Sequence, residues 1–218
     1  MWFLTSGISF EYLLMRISAA LVVVFLTLPI HEFSHAFVAN KLGDDTAKRW
    51  GKYSINPAIY FDPIGAACVL LFGFGWSKRA PIDLSRSSNS RRDMALVCLA
   101  GPIASFLCAF VGGFILNLFI AVGIANNWTY LFFSSFIAIN LEIAVVNLIP
   151  LPSFDGWPIL EACLPKKLLE KFYSNRMTII ITLVILLFLG IFSVPIDILE
   201  RVSYNFILKI TSLPFGKV

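Results

Sequence analysis

Four long apolar runs, at about residues 10–42, 93–125, 130–147 and 177–199, constrain this 218-residue chain more than any other feature. Each supplies about 18 or more mostly apolar residues, which as a helix can cross the ~30 Å of a bilayer's hydrocarbon. Composition points the same way. Hydrophobic residues make up 58% of the chain and charged residues 14%, against about 25% charged in ordinary soluble domains. A water-soluble fold of this size has no room to hide so much apolar surface, so lipid must be the solvent for much of it. The expected fold class is a membrane all-α protein, one transmembrane domain over residues 1–218 with about four spanning helices. The first run is too long, and too soon followed by a polar motif, for a cleaved leader. Pro29 within it should kink the helix.

A fifth apolar run, 63–76 (PIGAACVLLFGFGW), is too short to cross. As a helix it rises only about 21 Å, and its three glycines suit turns and close backbone approach. It reads as a re-entrant loop or β-hairpin, an arrangement tolerated at membrane depth when buried in protein or lining a cavity. That choice sets the topology. If 63–76 returns to the side it entered, segments 43–62, 77–92 and 150–176 emerge on one face. Of the 17 basic residues, all but Arg16, Arg201, Lys209 and Lys217 then lie on that face. The positive-inside rule makes it cytoplasmic, in a multi-pass protein of the cell membrane.

Residues 44–62 alternate polar and aromatic side chains around the turn signal Asn56-Pro57, which suggests short strands over the cytoplasmic mouth. The tail after Leu199 is amphipathic and suits the far interface. Arg16 is expected to snorkel to that interface, and Glu142 has no evident role. The four cysteines lack C-x-x-C spacing, and the three in strongly apolar stretches read as small hydrophobes. The basic loops are explained by orientation and anionic lipid, so the bilayer is a partner and nucleic acid is not.

Chemistry concentrates at His31-Glu32-Phe33-Ser34-His35, which holds both histidines of the chain. Spacing i, i+4 on a helix turns both imidazoles to one side, close enough to share a single metal ion. Glu32 projects beside them, placed to take a proton from an activated water. Zinc needs a third protein ligand and an open position. With no third histidine and no suitably placed cysteine, that ligand should be a carboxylate. Asp155, in the run NLIPLPSFDG (147–156), is the candidate. Pro150 and Pro152 break the third helix so that the chain can turn back, and Gly156 permits the turn. The charge-derived topology independently puts Asp155 on the face of His31 and His35.

HEFSH followed by NLIPLPSFDG resembles the site-2 protease family of intramembrane zinc metalloproteases, the M50 peptidases, in its compact bacterial form without a PDZ or other soluble domain. That family carries H-E-x-x-H on one transmembrane helix and N-x-x-P-x-P-x-x-D-G on a later one, and the resemblance covers at least residues 20–160. It implies that His31, His35 and Asp155 bind one zinc ion and that Glu32 activates water. It also implies a substrate that is a membrane-spanning protein segment, cut near the cytoplasmic side. The 63–76 run with FGFGWSKRAPID (72–83) resembles the re-entrant β-element of compact bacterial members of the family, whose edge could hold an unwound substrate as an added strand.

Two positions depart from the pattern. Ser105 stands where relatives often carry the asparagine of G-P-x-x-N, and is given no catalytic role. Ser153 replaces a frequent third proline. Asn140 and Asn147 share one helix face, and are candidates for binding the substrate backbone or its oxyanion. Two other readings stay open: a metal-ion transporter with a transient site at these residues, or an inactive relative that binds membrane segments without cutting them. A transporter should show more ionisable groups deep in several helices, and intact Glu32 argues against inactivity. The oligomeric state is not fixed by any of these features.

Overall fold

In the computed structural model, residues 9–72, 75–85, 87–152, 154–188 and 193–216 are described, and every regular element among them is helical. Among the described residues, three helices are long and apolar enough to cross a membrane: Phe10–Lys41, Ser90–Ala121 and Asn127–Asn147. They make this a membrane protein. Their outer faces carry side chains such as Phe25, Leu26, Leu107 and Val111, each at least half exposed, as lipid contact requires.

The first long helix is assembled from α1 (Phe10–Val22), a π-helical segment (Val23–Thr27) and α2 (Leu28–Lys41). Ser9 caps it by accepting a hydrogen bond from the Tyr12 amide at 3.2 Å. The disturbance expected from Pro29 takes the form of this widened winding. Proline has no N–H to return to the preceding turn, and just before it the Leu28 amide reaches back five residues to the Val23 carbonyl.

Two short helices follow, α3 (Thr46–Arg49) and α4 (Pro57–Tyr60). They correct the expectation of strands over 44–62, since no strand occurs among the described residues. Asn56 Oδ1 accepts the Ala58 amide at 3.1 Å with Pro57 opening the turn, so this pair starts a helix and not a hairpin. The next helix, α5 (Pro63–Phe72), replaces the hairpin alternative for the start of 63–76; residues 73–74 lie outside the described set. The chain then doubles back. A Cβ on Gly65 would stand 1.9 Å from the Trp76 carbonyl oxygen, and one on Gly75 would stand 2.2 Å from that of Gly65. Backbone meets backbone there, which only glycine allows.

Residues 75–85 form a strap without regular secondary structure. The Lys78 amide donates to the Tyr60 carbonyl at 2.8 Å, and the Asp83 amide to Asp44 Oδ2 at 2.7 Å. Ala80 packs with Ala36, Ala47 and Tyr60, and Leu84 with Ala39 and Val97. The strap is thereby fastened along α2.

After it come α6 (Ser90–Ala121) and α7 (Asn127–Asn147). Asn126 and Thr129 start α7 with a reciprocal capping box. One side of α7 presents Phe136, Ile139 and Ile143 to Ala19, Ala20, Val23 and Val24 of the first helix. Its other side presents Ile137 and Leu141 to Ala109 and Leu116. At Gly112 a Cβ would meet the Phe136 ring at 2.7 Å, so the missing side chain lets α6 and α7 approach. Arg16, expected at the interface, is instead buried and lies 3.9 Å from Glu142 of α7. The pair accounts for Glu142, since each charge at membrane depth answers the other.

The remaining helices are α8 (Gly156–Cys163), α9 (Lys166–Ser174), α10 (Arg176–Phe188) and α11 (Ser193–Ser212). The stretch 177–199, read as a fourth span, is divided between α10 and α11, and its residues 189–192 lie outside the described set. The amphipathic tail belongs to α11 and packs into the bundle. Ile207 is fully buried against α6 and α7, and Asn117 Nδ2 donates to Thr211 Oγ1 at 2.7 Å.

Candidate metal centre

His31 and His35 lie one turn apart on α2, with ring centroids 4.9 Å from each other. The second motif arrives from the end of α7. That helix stops at Asn147, and the chain turns through Pro150 and Pro152 so that Asp155 stands as the N-cap residue of α8. Gly156 is needed here for space and not for an unusual backbone angle, because a Cβ would stand 2.2 Å from the Leu148 carbonyl oxygen. Arg91 of α6 fastens the far end of α8 by donating to the carbonyls of Glu161 and, at 2.7 Å, Leu164.

Asp155 Oδ2 lies 3.1 Å from His31 Nε2 and 3.3 Å from His35 Nε2. Exposure is 4% for His31, 5% for His35 and 7% for Asp155, so the group is closed off by protein. Burial pushes the Asp155 carboxyl up, but hydrogen bonds and charge from the two imidazoles outweigh it and hold the group well below the usual carboxylate range.

The second nitrogen of each imidazole is already engaged. His35 Nδ1 sits 2.7 Å from the Val97 carbonyl oxygen. A carbonyl can only accept, so Nδ1 carries a proton, and Nε2, the nitrogen that faces Asp155, is the one that a metal would take once it gives up its own proton. His31 Nδ1 lies 2.9 Å from the Ser105 hydroxyl. Both Nε2 atoms are therefore turned toward Asp155, as metal ligation requires.

These residues fit a zinc ion. Two imidazole nitrogens and one carboxylate oxygen, all within 4.8 Å of one another, form a donor set of the kind used by catalytic zinc. Gly101 of α6 adds a second observation. A Cβ there would stand 2.3 Å from His35 Nε2 and 2.5 Å from His31 Nε2, so the absent side chain leaves room beside both donors. Val97, Gly101 and Ser105 are spaced by four and form one face of α6.

Glu32 is 7% exposed, and both its oxygens are engaged by the strap. Ser77 Oγ donates to Oε1 at 3.0 Å and the Ala80 amide to Oε2 at 3.0 Å. The two asparagines lie differently. Asn140 is fully buried and donates to the Phe136 carbonyl in its own helix at 2.8 Å. Asn147 is partly buried at the end of α7 and donates likewise to Ile143 at 2.9 Å. Sequence reasoning missed the second partners of the centre: Val97, Gly101, Ser77 and Ala80. The one signal available was the run of small residues at intervals of four on α6.

No family model matches the chain, and no solved structure matches it. Curated relatives do. A Bacillus subtilis (strain 168) protein named "Putative zinc metalloprotease YwhC" is 39% identical over 149 residues, a match covering 66% of this chain and 68% of the relative. The chain belongs to this zinc metalloprotease family. Two further family members are more distant. "Putative zinc metalloprotease Rip2" of Mycolicibacterium smegmatis is 30% identical over 141 residues, 62% of this chain but 53% of that protein. "Putative zinc metalloprotease MJ0611" of Methanocaldococcus jannaschii is 29% identical over 161 residues, covering 73% and 76%. The match thus spans about half the length of the mycobacterial member of the zinc metalloprotease family.

Proposed function

We propose that the chain is an intramembrane zinc endopeptidase of site-2 protease type, hydrolysing a peptide bond within or near a transmembrane segment of a membrane-protein substrate. The observation that carries this reading is the meeting of His31, His35 and Asp155 beside Glu32, built on helices long enough to cross a bilayer. His31, His35 and Asp155 would hold one zinc ion, which supplies Lewis acidity toward the scissile carbonyl and the attacking water. Glu32 takes the proton from that water and later passes it to the leaving amine.

A membrane substrate is supported by an apolar groove of about 490 Å³ between the first long helix, α6 and α7, open on its outer, lipid-facing side. Ile30 and Ser34, neighbours of the histidines on α2, line it together with Ala104, Leu107 and Phe136. Asn147 remains a candidate contact for the substrate backbone, whereas the buried Asn140 would need α7 to move. Charge placement supports a cell-membrane location with the centre near the cytoplasmic side. Reconstitution into proteoliposomes with a single-span substrate, followed by mass mapping of the products, tests this reading. Products cut in the cytoplasmic half of the span support it; zinc-dependent cleavage confined to soluble polypeptides would overturn it.

A further inference from the structure

We propose that the strap is a positioning clamp for the carboxylate of Glu32, with Ser77 and the Ala80 amide as its two jaws. The inference rests on Glu32 acting as the base of the zinc metalloprotease. The two donors come from residues 45 and 48 positions away in the chain, and each takes a different carboxylate oxygen at 3.0 Å. One donor per oxygen fixes the rotation of the carboxylate as well as its place. A carboxylate has about four acceptor positions, so both oxygens keep capacity for a water.

The clamp is itself anchored. Two residues before Ala80, the Lys78 amide is bonded to the Tyr60 carbonyl, and three residues after it the Asp83 amide is bonded to buried Asp44. Lys52 Nζ adds a bond to the Arg79 carbonyl at 3.3 Å, and the Tyr60 hydroxyl donates to the Lys52 carbonyl. A flexible glutamate is therefore ordered before substrate arrives, which removes that cost from the reaction. The donors also compensate the burial of a charged group that would otherwise be disfavoured.

The test has two arms on the full-length protein. Deuterium exchange at the Ala80 amide is compared between the wild type and Glu32→Ala, with the Lys78 amide as internal control. The clamp requires at least about tenfold faster exchange at Ala80 and little change at Lys78; equal rates at Ala80 overturn it. In the second arm, Ser77→Ala is assayed on a reconstituted transmembrane substrate. We expect kcat to fall about tenfold with KM and zinc content held, and Ser77→Thr to recover most of the loss. An unchanged or higher kcat, or a loss confined to KM, overturns the positioning role. A wild type that cleaves no membrane segment while Ala80 exchange still depends on Glu32 overturns the intramembrane-protease reading, and with it the role of the clamp in that reaction. That result is distinct from failure of the clamp, which the exchange arm reads alone.

Discussion

His31 Nε2 lies 3.1 Å from Asp155 Oδ2, a residue 124 positions further along the chain. Buried donors brought that close from α2 and from the start of α8 have to share something positive, and a metal ion serves both. The consequences can be tested residue by residue.

Gly101 is the residue of α6 for which a side chain is least tolerable. An added Cβ would stand 2.3 and 2.5 Å from the two Nε2 atoms, closer than any relaxed contact. Gly101→Ala should weaken zinc binding by about a hundredfold or more, because the ligand geometry must yield. Chelator competition on the purified variant measures this, and a melting point near that of the wild type would separate the effect from global unfolding.

Ser105 bonds His31 through Nδ1 and should orient the ring without touching substrate. Loss of such an outer partner costs about 10–100-fold in metal affinity. Ser105→Ala is expected in that range, and Ser105→Thr nearer the wild type because it keeps the hydroxyl. Zinc titration against a competing fluorescent chelator distinguishes the two.

Sidedness can be read from a native thiol. Cys163 at the end of α8 is exposed, whereas Cys98 is buried and Cys68 and Cys108 are partly buried. An impermeant maleimide should label Cys163 in inside-out vesicles and leave it unlabelled in intact cells. The reverse pattern, checked by mass spectrometry of the peptide, would invert the topology drawn from the basic residues.

The site was legible in the sequence where chemistry is tied to residue type. The spacing of His31 and His35 and the lone placement of Glu32 follow from helix geometry, and Asp155 followed from counting ligands and from charge. What escaped was carried by groups the sequence does not display. The Ala80 amide and the Val97 carbonyl are main-chain atoms, common to nearly every residue. Gly101 matters through the atom it lacks. The fold was legible in its long apolar helices, and strands are expected over 44–62 because polar and aromatic residues alternate there around Asn56-Pro57, a pattern too short to tell a strand from the single helical turns Thr46–Arg49 and Pro57–Tyr60. The Arg16–Glu142 pair joins helices far apart in sequence, and no local pattern announces it.

The central claim is that a zinc ion held by His31, His35 and Asp155 works with Glu32 as base. Glu32→Gln removes the base while leaving the three ligands in place. Zinc content and cleavage of a reconstituted transmembrane substrate should be measured on this variant beside the wild type. About one zinc per chain is expected in both proteins, with a loss of cleavage of at least about a thousandfold in the variant. Cleavage by Glu32→Gln at the wild-type rate would contradict it.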